Sequence, residues 1–596
     1  MKHQLFPSAE ELQGVGEVSL REQEPSLVLT GGKYLNVYTG KFVRKDIWVA
    51  DRFIAKLTEE EPPEGANVID VTGKYIVPGF IDGHIHVEST LLDPVNFSNL
   101  AIHCGVTGIV TDFHESGVTC GKEGLLAMKR AFESTPLKAF WATPISLPFL
   151  PEIQSTVSSL STDEALELLD LPETLGLSEV MGEKFVESIK DGDREELEVI
   201  SQALERRKLP EGHLFKTLGD ELDAMIGLGI SSDHEPREKD EVEEKVEKGL
   251  FVMLREGTLA SEVQKLAGTI AERKLPSDRF GLVSDDMLAR DMTREGYMVD
   301  KLKKTIDSGV ETVDALKMAT YNVARHLRVD NLVGTIKPGS FADLVVLDSL
   351  ESLDIDGVVC SGIPAEELTS EYSFEASYDE ALFNRIPRPK LTDDDLEYLP
   401  NDFEGNSVTI RTISLNETNR FTDLNEREVN LFEGRLELER EDEDLLYLVC
   451  ASRVEEDNVG LGFLEDYGLR EGALAVSIAH DHHGIVALGK RRKDVIEAAN
   501  WVIENQGGVV YVKNGEVLAG LPLPLAGLMA TDDYSEVKTK IAELERALRD
   551  NGATWKEPLF LSFWLGMEVA PYYRISERGI LSTEDNTVLP PVIEPK

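Results

Sequence analysis

The sequence predicts an α/β protein built on a (β/α)8 barrel, with a small composite β domain beside it and a C-terminal α/β domain. Three observations predict it. Between residues 79 and 325 short apolar runs alternate with amphipathic, charged stretches over about 250 residues, the length of one such barrel. Polar residues able to bind a metal follow those apolar runs, where a barrel of this kind gathers its chemistry. Strand-and-turn patterns flank the alternation, from Ser26 onward and again after Asp343.

The elements follow in chain order. Residues 1 to about 25 are polar and read as a helical or loose lead-in. SLVLTGGKYLNVYTGKFVRKDIWVADRFIAKL and ANVIDVTGKYIVPGF are short strands with turns, so residues 1–75 form the first segment of the composite β domain. The barrel is expected over 76–327. Its strand candidates are 80–81, 107–111, 139–142, 177–180, 213–214, 230–231, 249–254 and 281–284, with helices such as 162–169, 194–206 and 242–248 between them. ADLVVLDSLESLDIDGVVCSG then returns to the composite domain, assigned 328–385. A polar, Pro-containing stretch over 386–401 reads as a linker. Residues 402–596 are expected to form the C-terminal domain, with strands near 408–413, 446–449, 473–478, 485–488 and 509–513 and helices near 493–505 and 534–551.

Composition narrows the function classes. A chain of 596 residues is too long for one core, which agrees with several domains. No run approaches about 18 consecutive apolar residues and the N-terminus lacks the apolar centre of a signal peptide, so a cytoplasmic protein with no membrane partner is expected. Cys104, Cys120, Cys360 and Cys450 form no CxxC pair, which argues against a disulfide framework or a thiolate zinc site. Acidic residues number 110 against 61 basic ones, a formal net charge of -49 spread along the chain. Such a field repels nucleic acid and anionic membranes. Concentrated salt would screen it, so adaptation to high salt is the reading preferred over a merely acidic protein.

The candidate chemistry starts at VPGFIDGHIHVEST. The run Tyr75-Ile76-Val77 is stopped by Pro78-Gly79, and Phe80-Ile81 then delivers His84 and His86. Residues i and i+2 of a strand share a face, so two imidazoles stand side by side. A lone pair of this kind is as readily a polar strand end as a metal site. The chain has only 11 histidines, however, and His84, His86, His213 and His234 all fall at expected strand ends. Asp112, His114, Glu115, Glu179, Asp233, Glu235, Asp285 and Asp286 fall there too. Mixed imidazole and carboxylate donors suit zinc, iron or manganese rather than calcium or magnesium.

VPGFIDGHIHVEST resembles the signature of the amidohydrolase superfamily, and its HVEST ending is similar to the adenine deaminase family within it. GLSEVMG around Glu179, EGH at His213, SSDHE at His234, VSDD at Asp285, ALKMATYNVARHL, GTIKPGSFADLVVLD, IAHDHHGIVALG and LPLPLAGLMA continue the resemblance over nearly the whole chain. Departures at Phe113, where a Pro is usual, after Met181, where an Asn is expected, and at His482-His483, where a Ser and an Asn are usual, bear on the pocket rather than on the ligands. The resemblance implies a binuclear divalent metal site, Mn2+ foremost with Fe2+ or Zn2+ as alternatives. In it His84, His86 and Asp285 hold one metal, His213 and His234 the other, and Glu179 bridges them. It further implies hydrolytic deamination of adenine to hypoxanthine and ammonia, as in purine salvage, by a hydroxide shared between two cations that bring the pKa of water near neutrality. Asp285 would relay the proton. Glu235 would either protonate a ring nitrogen or orient a histidine, and Asp286 carries the same ambiguity. Glu88, Ser89, His114 and Glu115 are further substrate-pocket candidates, with helix capping as the alternative. A homo-oligomer, a dimer in particular, and a halophilic archaeal source complete what the resemblance and charge suggest.

Other readings have their own signatures. An amidohydrolase acting on another nucleobase or on a cyclic amide would share the metals, but the cyclic-amide enzymes generally bridge them with a lysine, and Lys184 lies too far from the Glu179 register. A cytidine-deaminase type of site needs P-C-x-x-C, which is absent. A metal-binding scaffold without activity is disfavoured by the complete ligand set. The turn His480-Asp481-His482-His483 is expected, with residues 521–529, to cover the barrel mouth or a subunit contact rather than to bind metal.

Overall fold

The computed structural model describes residues 5–192, 194–368, 378–399, 403, 405–416, 422–440, 444–455 and 457–593. The ends and parts of the expected segments, including 369–377 of the returning segment and 400–402 at the linker and domain boundary, lie outside the described residues.

Eight parallel strands stand in chain order, Phe80–Asp82, Val106–Thr111, Lys138–Thr143, Thr174–Met181, Leu209–His213, Ser232–Asp233, Phe251–Arg255 and Phe280–Val283, each neighbour paired to the next. Their burial is nearly continuous, as expected for parallel strands covered by helices. The helices Thr162–Leu169, Glu195–Glu205 and Lys239–Glu247 lie between strands as their amphipathic patterns predict. Ser161 and Glu164 cap the first of these reciprocally.

The ring closes one step beyond the eight strands. Ile85–His86 pairs in parallel with Asp285–Asp286, Asp285 opposite Ile85 and Asp286 opposite His86. Asp82 stitches this seam: Oδ1 accepts from the Ser284 amide at 3.1 Å, and Oδ2 from the Ser284 hydroxyl at 2.5 Å and the Tyr297 hydroxyl at 3.0 Å. The first and last strands thus present His84, His86 and Asp285 from one side of the ring. The result is a (β/α)8 barrel.

The composite β domain is built from both flanks. Leu344–Leu347 pairs antiparallel with Tyr75–Pro78, the strand leading directly into the histidine motif. Leu27–Thr30 and Asp46–Ala50 form part of a second, four-stranded sheet, on which the lead-in helix Ala9–Leu20 packs.

The C-terminal domain centres on a mixed sheet containing Leu445–Ala451, Ile485–Gly489, Ala473–Val476 and Gly508–Lys513, backed by the helix Arg492–Glu504. The segment expected as a linker is not a solvated tether. Ile386, Leu391, Leu396, Tyr398 and Leu399 pack into the core of this domain, and the Tyr398 hydroxyl lies 3.3 Å from the carbonyls of Leu448 and Gly462. Its apolar residues are spaced among Pro, Asp and Lys without helical or strand period, so no pattern announced their burial. The domain also seats on the barrel: Leu92 bridges Ala530, and the Ala530 amide donates to the Leu91 carbonyl at 2.9 Å. No helix among the described residues is long and apolar enough to cross a membrane.

Candidate active site

At the C-terminal ends of the strands, one carboxylate oxygen gathers four imidazoles. Glu179 Oε1 lies 3.5 Å from His84 Nε2, 3.7 Å from His86 Nε2, 3.4 Å from His213 Nδ1 and 3.4 Å from His234 Nε2. His84 and His86 Nε2 atoms are 3.2 Å apart. Asp285 Oδ1 approaches His86 Nε2 at 3.2 Å and His84 Nε2 at 3.9 Å. Glu179 and Asp285 both hold left-handed backbone, φ 44° and 62°. Such strain at non-glycine residues persists only where surrounding structure fixes it, and it clusters at functional sites.

The electrostatics follow from burial and crowding. Burial alone would raise the Glu179 carboxyl, but His86 first, then His213, His234 and His84, hold it well below the usual carboxylate range. Burial opposes ionisation of Asp285 in the same way, and Arg255 with His86 and His234 outweighs it. His213, despite burial, rises to about 9 beside Glu235 and Glu179.

The donor set fits divalent metal ions. Ligand atoms of His84, His86 and Asp285 lie within 4.8 Å of one another, as do those of His84, Glu179 and His234 and those of His213, His234 and Glu235. His234 Nε2 is buried with no hydrogen-bond partner among the described residues. Bringing so many largely buried imidazoles and acids together is costly unless a cation organises them.

The remaining candidates divide. His114, Glu115 and Asp286 line a cavity of about 650 Å³ that also reaches His86, Glu179, His213, Glu235 and Asp285. His114 Nδ1 lies 3.1 Å from Asp112 Oδ2 and 3.7 Å from Glu179 Oε2. Glu88 and Ser89 do not line the cavity. Glu88 Oε1 accepts from the Ser116 hydroxyl at 2.7 Å and amide at 3.2 Å near the start of the next helix, the capping alternative, while the Ser89 hydroxyl donates to Asp286. Glu235 accepts from Arg255, which also donates to Asp285 Oδ2 at 2.5 Å.

One participant carries no ligand signature in the sequence, and one expected segment comes closer to the site than a cover. Arg255 ends the strand FVMLR in the same strand-end position as the histidines, but a guanidinium is not a metal ligand and so leaves no ligand pattern there. The C-terminal turn enters the cavity itself, through His480 and Asp481. His480 Nδ1 and His483 Nε2 both bond the Glu115 carboxylate, and Asp481 Oδ1 lies 3.3 Å from His114 Nε2. A contact across more than 360 positions of chain leaves no local pattern.

Comparison with known proteins agrees with this arrangement. The amidohydrolase family matches residues 75–364, and the adenine deaminase C-terminal domain matches 419–587. An adenine deaminase of Methanococcoides burtonii is 30% identical over 95% of this chain and 96% of its own length. Those of Listeria welshimeri and Oceanobacillus iheyensis are 30% and 31% identical over 97% and 94% of this chain and 98% and 95% of theirs.

Proposed function

The chain belongs to the adenine deaminase family of amidohydrolases, and from that premise we infer that it hydrolyses adenine to hypoxanthine and ammonia. The observation that carries the reading is the convergence of His84, His86, His213 and His234 on Glu179, with Asp285 beside them. In this reading His84, His86 and Asp285 would hold one divalent ion, His213 and His234 would hold a second, and Glu179 would serve both. Bound there, the ions supply Lewis-acid activation of water. We take manganese as the metal, with iron or zinc as alternatives, since the donors mix imidazole and carboxylate.

The side chains then divide the proton work. Water adds to C6 of adenine; Asp285, kept ionised by Arg255 and the histidines, accepts its proton at the oxygen facing His86 and returns it to N6. The C6–N6 bond breaks, ammonia leaves, and C6 becomes the carbonyl of hypoxanthine as the second proton of the added water passes from the C6 hydroxyl to N1. Arg255 pins the other Asp285 oxygen, so the acceptor cannot rotate away. The Arg255 contact favours Glu235 as the carboxylate orienting His234 and Arg255 over Glu235 as acid to the ring. Asp286, held between Ser89 and His480, borders the substrate cavity. A cytoplasmic purine-salvage role and a homodimer are the setting we propose.

Purified protein assayed against adenine, other nucleobases and cyclic amides tests the reading. Ammonia and hypoxanthine in equal amounts from adenine are expected. Turnover of a cyclic amide with none of adenine would replace it with the cyclic-amide alternative.

A further inference from the structure

The C-terminal turn that enters the cavity is held in an unfavourable shape by several independent contacts. Asp481 and His483 have left-handed backbone, φ 74° and 56°. His480 and His483 bond Glu115 on the barrel. From behind, the buried guanidinium of Arg453 donates to the carbonyls of His483 and Ser477, and to those of Ala526 and Gly527 at 3.1 and 3.2 Å, tying the turn to the loop seated on Leu91. A Cβ at Gly484 would lie 2.8 Å from Cys450 Sγ, so only glycine lets the chain leave the turn this way. Structure that over-determines a strained residue is a mark of function.

The residue so aimed is Asp481. It is 5% exposed and lines the cavity, and its Oδ2 has no hydrogen-bond partner among the described residues. Buried polar atoms are normally satisfied, so this oxygen awaits a donor. The donor's place can be read from the spacing. The ring of His114 spans from Glu179 Oε2, 3.7 Å from its Nδ1, to Asp481 Oδ1, 3.3 Å from its Nε2, one imidazole's width. A flat bicyclic base lying alongside, with C6 at the Glu179 cluster, therefore turns its five-membered ring toward Asp481. The free base carries a proton at N9; a nucleoside carries a sugar there instead. We propose that Asp481 is a specificity-determining residue, accepting a hydrogen bond from N9–H and so selecting free 6-aminopurine bases over N9-substituted ones.

The proposal rests on adenine being the substrate, and its test is separable from that reading because it compares ligands and variants once wild-type turnover is measured. Full-length, manganese-loaded wild type, Asp481→Asn and Asp481→Ala are assayed for adenine KM and kcat, for inhibition by 9-methyladenine and for metal content. Loss of one buried hydrogen bond is expected to raise the adenine KM about tenfold or more while kcat changes far less. In wild type 9-methyladenine should bind about tenfold or more weaker than adenine; in Asp481→Ala, which removes the acceptor, that gap should close, and in Asp481→Asn, which keeps an amide oxygen, it should narrow. An unchanged KM, or equal losses for adenine and 9-methyladenine, would overturn the proposal. So would loss of a metal equivalent in the variants, which would make Asp481 a cation ligand with His114 and Glu115.

Discussion

Glu179 Oε1 stands within 3.7 Å of four imidazole nitrogens, so among the described residues no other side chain touches as much of the ligand set. Glu179→Gln is expected to lower metal occupancy and to cut kcat/KM by more than the roughly 10–100-fold typical of an outer-shell partner. Metal analysis and initial rates on the same sample check this. A second residue governs pH response. Burial first of all, with Glu577 adding and Gln154 opposing, pushes Glu568 up to about 8. A carboxyl raised on folding contributes stability fully present below its unfolded pKa and lost as pH rises through the folded value. Wild-type Tm should therefore fall between about pH 5 and about pH 9, and Glu568→Gln should flatten that fall. Parallel melting curves for the two proteins would count against it. At this scale the sequence made His84 and His86 visible through their i, i+2 spacing. It left Glu88 undecided because Ser116, its partner, lies 28 residues away. Arg255 carries no metal-ligand signature at its strand end, whereas the turn bearing Asp481 was legible as a cover of the barrel mouth but not as a cavity wall, because its partners lie more than 360 positions away.

Strands and helices were legible where a period existed. The barrel strands and helices fall within a few residues of their patterns because parallel strands are buried apolar runs and the helices are amphipathic. The two-residue pairing of Ile85–His86 with Asp285–Asp286 was not legible, since the seam depends on Asp82 reaching Ser284 across 202 positions. Nor was the packed course of residues 386–399, whose buried side chains follow no period. That course yields a prediction. Leu396 is fully buried against the C-terminal sheet, so Leu396→Ala should cost about 2–5 kcal/mol of stability. It lies in a different core from the cavity, and chemical denaturation should show the loss while kcat/KM at low temperature stays within about twofold.

For the molecule as a whole, charge and metal dominate. A net charge of -49 repels itself over longer distances as salt falls, since the Debye length grows from about 3 Å at 1 M to about 30 Å at 0.01 M. The unfolding midpoint should rise with salt, and a flat profile from molar to millimolar salt would contradict adaptation to concentrated salt. The fold gathers donors from the first, fourth, fifth, sixth and eighth strand ends into one buried cluster. We propose that this cluster is a two-metal hydrolytic centre. Titrating metal-free protein with Mn2+, while following bound metal and adenine-dependent ammonia release together, tests that claim most directly. The expected result is activity that rises to a plateau at about two equivalents per chain. Full activity at one equivalent, or without bound metal, would contradict it.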